Sequence, residues 1–262
     1  STEDLTRGCR FEVTPAGAAE VLSSGYLRAV QSGTVSVLAY YEGAEVSTMI
    51  AVGDAELPVS DFALDIVPIL TKAGCNAGSC HGAAQGKGGL QLSLFGYDPE
   101  ADHATLTRGL EGRRIDPFNP SSSLILLKPT LTMPHAGGLR LRPGSAEEDR
   151  VRRWIEAGTP WRDESRGRIE RLVVEPTDRF LPSAPAEQQI RVVAEYADGT
   201  RRDVTRLCLF VSNDPGTVTV DKNGLAKLLQ RGQADVVVRF ANKLGNVRLA
   251  APFNDGTGFD YD

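Results

Sequence analysis

Asp4-Leu-Thr-Arg-Gly-Cys9 returns 199 residues later as Asp203-Val-Thr-Arg-Leu-Cys208. The same offset, without a gap, carries Gly25 onto Gly224, Gly33 onto Gly232, and Val35-Ser-Val-Leu-Ala-Tyr40 onto Ala234-Asp-Val-Val-Val-Arg239. One register that holds this far marks a duplicated structural unit. Both copies read as strands with one buried face: Val35, Val37 and Ala39 alternate with Ser36, Leu38 and Tyr40, and Ile190, Val192 and Ala194 with Arg191, Val193 and Glu195. Asp198-Gly199 and Asn223-Gly224 are hairpin-turn signals between them. Short strands at this spacing predict a β-sandwich.

The second copy, from about Ile169 to Phe253, resembles a bacterial Ig-like domain of group 2. The matching segments are Ile169-Glu-Arg-Leu-Val-Val-Glu-Pro176, Val192-Val-Ala-Glu-Tyr-Ala-Asp-Gly199, Asp203-Val-Thr205, Asn223-Gly-Leu225 and Gly232-Gln-Ala-Asp-Val236. Subtracting the offset from Ile169 gives a position ahead of Ser1, so the first copy is expected to lack its first two strands. Such a half-sandwich exposes a sheet edge and part of its core. Its missing piece is expected from another segment, or its stability from a neighbour.

A different kind of sequence lies between the copies. Ser60 or Asp61 can cap a helix that puts Phe62, Ile66, Ile69 and Leu70 on one face and stops at Gly74. Ser145-Ala-Glu-Glu148 is a capping box, followed by Val151, Trp154 and Ile155 at helical spacing and by Gly158. The stretch between these helices is rich in Gly and Pro and is expected to need help in forming a core. The resulting fold class is multidomain: all-β Ig-like sandwich modules flanking a mainly α segment. The expected domains are 1–57, an N-terminally truncated Ig-like domain; 58–163, the helical segment; 164–253, the Ig-like group 2 domain; and 254–262, a linker or tail.

Bulk properties exclude several roles. The net charge of −5 disfavours a nucleic-acid partner. No apolar run is long enough to span a membrane. Four cysteines in 262 residues are too few for a disulfide scaffold. Cys9 and Cys208 occupy equivalent places in the repeat and read as small buried strand residues; a bridge between them would have to join two domains. Cys75 and Cys80 are different, because they sit five positions apart and His81 follows at once.

Two cysteines followed by a histidine can fix a c-type haem through two thioethers, with the histidine as an iron ligand. The usual spacing has two residues between the cysteines, and here there are four, but Ala77 and Gly78 are small enough for the loop to bulge. Zinc is the rival, since four residues also lies within zinc-ligand spacing and His103 or His135 could contribute. It requires the adjacent Cys80 and His81 to reach one ion, which is sterically awkward. The plainest alternative is two ordinary cysteines beside an incidental histidine.

Residues 59–162 resemble the planctomycete-type cytochrome c domain found in large cell-surface proteins with Ig-like modules. The resemblance rests on Cys75-Asn-Ala-Gly-Ser-Cys80-His81-Gly82, Leu92-Ser-Leu-Phe-Gly-Tyr-Asp-Pro99, Gly112-Arg-Arg-Ile115, Ser123-Leu124, Leu127-Lys-Pro-Thr130, Pro134-His-Ala-Gly-Gly138, and Trp154-Ile155 with Gly158. It implies a class I-like cytochrome domain with one covalent haem c on Cys75, Cys80 and His81. His135 is the favoured distal ligand, with Met133 the alternative and His103 a further candidate. A thioether would raise the potential more than a second imidazole. Arg114 and Lys128 are the favoured cations for the haem propionates, among Arg113, Arg114, Lys128 and Arg140. Phe95 and Tyr97 are candidates for the ring edge.

The implied function is one-electron transfer within a larger exported, periplasmic or cell-surface protein, and not an enzyme. The expected partners are an unidentified redox protein and neighbouring domains of a longer chain, with polysaccharide a further candidate. The alternative is a haem-containing sensing module, or one that binds polysaccharide or protein, without electron transfer.

Overall fold

A computed structural model describes residues 5–22, 25–53, 60–162 and 167–253. The chain forms two compact units, Ser1–Pro58 and Val59–Asp262. The expected tail at 254–262 lies outside the described residues.

The first unit opens with a 3-10 turn at Thr6–Gly8, followed by β1 (Arg10–Thr14), β2 (Ala19–Val21), β3 (Leu27–Ala29), β4 (Gly33–Tyr41) and β5 (Ala44–Val52). Strands β1, β4 and β5 form one antiparallel sheet in that order, and β2 pairs with β3. The β4–β5 hairpin runs from Gly33 opposite Val52 to Tyr41 opposite Ala44. Its buried core is small: Ala18, Ala19, Val35 and Val37.

The second unit begins with the helical segment. Asp61 caps it by accepting from the Leu64 N–H at 2.8 Å. A π-helical turn, Phe62–Ile66, runs into α1 (Val67–Lys72). Gly74 then leaves the helix at φ +77°, a conformation that suits glycine. After α2 (Pro99–Thr107) and α3 (Leu124–Leu127), α4 (Ala146–Glu156) starts at Ser145, whose side chain accepts from the Glu148 N–H. The return arm of the expected capping box goes elsewhere, since Glu148 accepts from the Gly144 N–H and not from Ser145.

This segment builds its own core, contrary to expectation. Phe62, Ile66, Ile69, Leu70, Val151, Trp154 and Ile155 are joined by Leu92, Leu106, Leu126 and Leu141, which the intervening loops and short helices supply one at a time. The intervening sequence looked too polar because these leucines show no periodicity.

The sandwich follows as β6 (Ile169–Glu175), β7 (Asp178–Phe180), β8 (Ala186–Gln189), β9 (Arg191–Tyr196), β10 (Arg201–Asp203), β11 (Leu209–Ser212), β12 (Val218–Val220), β13 (Leu225–Leu228), β14 (Gly232–Phe240) and β15 (Lys243–Ala251). Its sheets have the orders β10-β9-β6, β11-β14-β15-β7 and β12-β13-β8. Their inner faces enclose a continuous apolar core that includes Ile190, Val192, Ala194, Val236, Val238 and Leu249. These sheets are consistent with Ig-like all-β modules.

The sequence repeat is a structural repeat. The turn Thr6–Gly8 corresponds to Thr205–Leu207, and β2, β4 and β5 carry the bounds of β12, β14 and β15 less 199. The hairpin turns match as well: Glu42 has φ +47° and Ala241 has φ +49°.

Within the second unit the helical segment and the sandwich are tied by charge. The Asp65 carboxylate, fully buried, receives Arg150 from α4 and Arg202 from β10, each at 3.0 Å. Arg239 of β14 lies over the Phe95 ring at 4.9 Å. The Lys72 ammonium donates to the Arg206 carbonyl. Burial pushes that amine down to about 8.

A lysine lowered in this way has a definite pH signature. Below about pH 8 both folded and unfolded chains hold the proton. From there to the ordinary lysine value near 10.4, the unfolded chain binds more protons, so stability rises with pH. Urea melts should show this rise, by roughly 3 kcal/mol at most at 1.36 kcal/mol per pH unit, and Lys72→Met should flatten it.

Candidate functional site

The segment Cys75–Gly82 is a tight loop wound on its own backbone. Cys75 N–H donates to Leu70, His81 N–H to the Cys75 carbonyl at 2.9 Å, and Gly82 N–H to Ala77 at 3.1 Å. Asn76 is buried inside it and donates to Thr71 Oγ1 at 2.9 Å. Its Oδ1 has no hydrogen-bond partner. All four cysteines, including Cys75 and Cys80, are free thiols. Burial pushes the Cys75 thiol up to about 11, against the opposing pull of Arg140. Cys75 is therefore a neutral thiol near pH 7.

Gly82 is fixed by space. A Cβ there would meet the Asn76 carbonyl oxygen at 2.1 Å and its carbon at 2.7 Å, and neither backbone atom can move aside cheaply. Gly82→Ala is expected to cost about 1–3 kcal/mol or more through overpacking. It should also open the loop, so that Cys80 reacts faster with a thiol reagent while the sandwich amides keep their hydrogen-exchange protection.

His81 and His135 come together from distant parts of the sequence. Their ring centres are 6.3 Å apart and the ring planes differ by 12°. His81 Nδ1 lies 3.1 Å from the carbonyls of both Lys87 and Leu90. His135 Nδ1 lies 2.9 Å from the Gly138 carbonyl. Carbonyls only accept, so each Nδ1 carries the proton, and each Nε2 keeps its lone pair for another partner. Both rings are half-buried. Burial, the largest influence, holds His81 below the ordinary histidine value. Gly137 lets the His135 ring fold back, since a Cβ there would sit 2.8 Å from Cε1.

The other candidates divide around this pair. Met133 is on the same loop and 38% exposed. Lys128 is half-buried just ahead of it. Arg140 links the two loops: its Nε donates to Gly137, and its Nη1 would meet a Cβ on Gly74 at 3.5 Å. Arg114 is buried, with its guanidinium donating to the carbonyls of Thr105, Gly109 and Gly89. Tyr97 is 73% exposed. His103 lies apart, in an aromatic cluster with Phe62, Trp154 and Trp161, where Nε2 meets the Thr159 carbonyl at 2.8 Å. Beside it is an open hollow of about 450 Å³ lined by Glu100, Thr107, Arg108 and Trp161.

What could this donor set hold? Among the described residues, no group of three or more His, Cys, Asp or Glu side chains converges on one point. The geometry thus offers nothing to the zinc alternative. What remains is a pair of nearly parallel imidazoles. Each ring centre would lie roughly 3 Å from an atom midway between them, close to the spacing for a metal bound through one ring nitrogen at about 2 Å.

No family model matches the chain, and no curated protein matches it. Among solved structures, the chain is similar to the S-layer protein rSbsC(31-844), with 9% identity over 98% of this chain and 21% of that one, at a TM-score of 0.29. It is also similar to surface layer protein SbsC, domains 4–9, with 8% identity over 99% of this chain and 24% of that one, at a TM-score of 0.29. The chain spans less than a quarter of these proteins, and likenesses this distant carry no argument about fold or role. The expected membership of the planctomycete-type cytochrome c family is corrected by the fold and by the donor set. Among the described residues strand outweighs helix, and the helical segment is a set of short helices on long turns rather than a mainly α class I-like cytochrome c domain. Among the described residues no metal-binding cluster of three or more side chains accompanies it. The electron-transport role that came with the resemblance falls with it.

Proposed function

We propose that this chain is a binding module of an exported, cell-surface protein, with neither electron transfer nor catalysis as its role. In this reading Cys75 and Cys80 would anchor one haem c, and His81 and His135 would hold it. The observation that carries the reading is the His81–His135 pair, with both Nδ1 atoms tied to carbonyls and both Nε2 atoms left free. Backbone anchoring of Nδ1 fixes a ring for ligation through Nε2. A bound haem would supply an iron able to take a small ligand.

A binding role is supported by the His135 side of the site. His135 is half-exposed on a loop with two consecutive glycines, so a small ligand can reach it. Lys128 and Arg140 are the cations near that loop, while Arg114 is occupied with three carbonyls. Among the described residues no helix is long and apolar enough to cross a membrane. Neighbouring domains of a longer chain are the nearest partners.

The test is an intact mass and a visible spectrum of the 262-residue chain, made in a host that exports proteins and attaches haem. One haem per chain is expected, lost completely in Cys75→Ala/Cys80→Ala. His135→Ala should keep the haem but bind carbon monoxide more readily, whereas Met133→Ala should leave binding unchanged. Apo mass alone from that host sinks the reading.

Polysaccharide is a second partner reading, favoured by the hollow beside Trp161, where an aromatic face lies with Glu100, Arg108 and His103. Titration calorimetry with oligosaccharides, repeated on Trp161→Ala, tests it. Equal heats from the two proteins would remove this hollow from consideration.

A further inference from the structure

The first unit carries an apolar cleft of about 250 Å³. Phe11, Val21, Leu27, Val37, Ala39 and Ile50 line it. Their positions in the repeat are Phe210, Val220, Ala226, Val236, Val238 and Leu249. Four of these, Ala226, Val236, Val238 and Leu249, are completely buried. The difference has an identifiable cause. In the second copy, β6, β9 and β10 form the facing sheet, β8 pairs with β13, and β7 pairs in parallel with β15. The first unit has no described counterpart of these five strands. Its β5 is exposed along both faces, with Val46 at 67% and Met49 at 76%.

We propose that the first unit is a strand acceptor, completed by a polypeptide segment joined to the chain ahead of Leu5. The internal repeat specifies the occupant. In the second copy β10 ends at Asp203, and the turn Thr205–Leu207 follows after one residue. The counterpart of that turn is Thr6–Gly8, so the covering strands belong immediately upstream of Leu5. Their pattern is that of Ile190, Val192 and Ala194: apolar residues alternating with polar ones, delivered as antiparallel strands.

One detail separates this occupant from a simple copy of β6. A Cβ on Gly245 would meet Val174 at 2.5 Å, so the second copy needs glycine there. The first unit has Val46 at that place. The strand facing it must therefore carry a residue smaller than valine where β6 carries Val174.

The test uses the 262-residue chain and the same chain with a copy of Ile169–Asp203 grafted directly onto Leu5, the copied valine of position 174 changed to alanine. Hydrogen exchange at the amides of Val37 and Ile50 should slow at least tenfold in the grafted chain, and the fluorescence of a hydrophobic dye should fall several-fold. A second graft that retains the valine should protect these amides less. If a grafted chain fails to fold, a synthetic peptide of the same altered sequence, added to the original chain, should give the same protection. Unchanged exchange with both graft and peptide overturns the proposal. Sedimentation showing a dimer of the original chain with these amides already protected would also overturn it, since the occupant would then be a second copy.

Discussion

Replacing Asp65 by alanine is expected to destabilise the Val59–Asp262 unit by about 3–5 kcal/mol, the cost of breaking a buried ion pair from one side. The carboxylate has no solvent exposure and receives Arg150, Arg202 and the Asp61 N–H. Its removal leaves two guanidinium groups and a backbone donor to be resolvated or buried unpaired. Truncating either arginine should cost less, since Arg150 and Arg202 are 35% and 30% exposed and can return to water. Asp65 then keeps its other partners. A loss of roughly 1–3 kcal/mol is expected from Arg150→Met or Arg202→Met.

The location of the pair makes the effect more than a loss of stability. Arg150 belongs to the helical segment and Arg202 to the sandwich, so Asp65 is a shared point between them. In Asp65→Ala, urea unfolding followed by Trp fluorescence and by far-ultraviolet circular dichroism should lose coincidence, because Trp154 and Trp161 report on the helical segment and the strands on the sandwich. Coincident transitions at unchanged midpoint would show that the pair does not couple the two parts.

The sandwich was legible in the sequence because its information is local. Gly33 and Gly232 both adopt a positive φ, +128° and +139°, Asn223-Gly224 makes the expected turn, and Ile190, Val192 and Ala194 are buried as the alternation has them, although Val193 between them is buried too. The register of 199 needed only identity at a few turn residues. The helical segment was legible at its two ends, where Asp61 and Ser145 cap helices, and not between them. Leu92 and Leu141 enter the core from loops, and Leu106 and Leu126 from two separate short helices, so no shared periodicity reveals them. The π-helical turn at Phe62–Ile66 was also hidden, since it positions Asp65 for arginines 85 and 137 residues away.

The site shows the same division. Cys75, Cys80 and His81 stand out by spacing alone. The approach of His135 to His81 depends on Arg140, Gly137 and the loop turns, which only the fold brings together. Arg114 and His103 have side chains that suit ligand binding, but both are committed to backbone carbonyls, Arg114 to Gly89, Thr105 and Gly109 and His103 to Thr159. Residue type says what a side chain can do; tertiary hydrogen bonding decides what it is already committed to.

Trp154→Ala is the second large effect, with an expected cost of about 3–5 kcal/mol for deleting a fully buried aromatic. Trp154 has no exposure, its ring centre lies 5.3 Å from that of Phe62, and its indole N–H donates to the Pro160 carbonyl at 2.9 Å. The substitution opens a cavity and also leaves a carbonyl without its donor. Phe62 on the π-helical turn would lose its support, and that turn leads through α1 to Cys75. The prediction therefore has a second readout: Cys75, held neutral by burial, should become more reactive toward a thiol reagent. Trp154→Phe separates the two causes. It keeps most of the ring but not the N–H, so it should recover most of the stability while leaving the Pro160 carbonyl unpaired. If Trp154→Ala melts earlier with Cys75 reactivity unchanged, the aromatic core supports the helices but not the loop. If both change, the same packing that folds the helical segment also holds the Cys75–His81 loop in place.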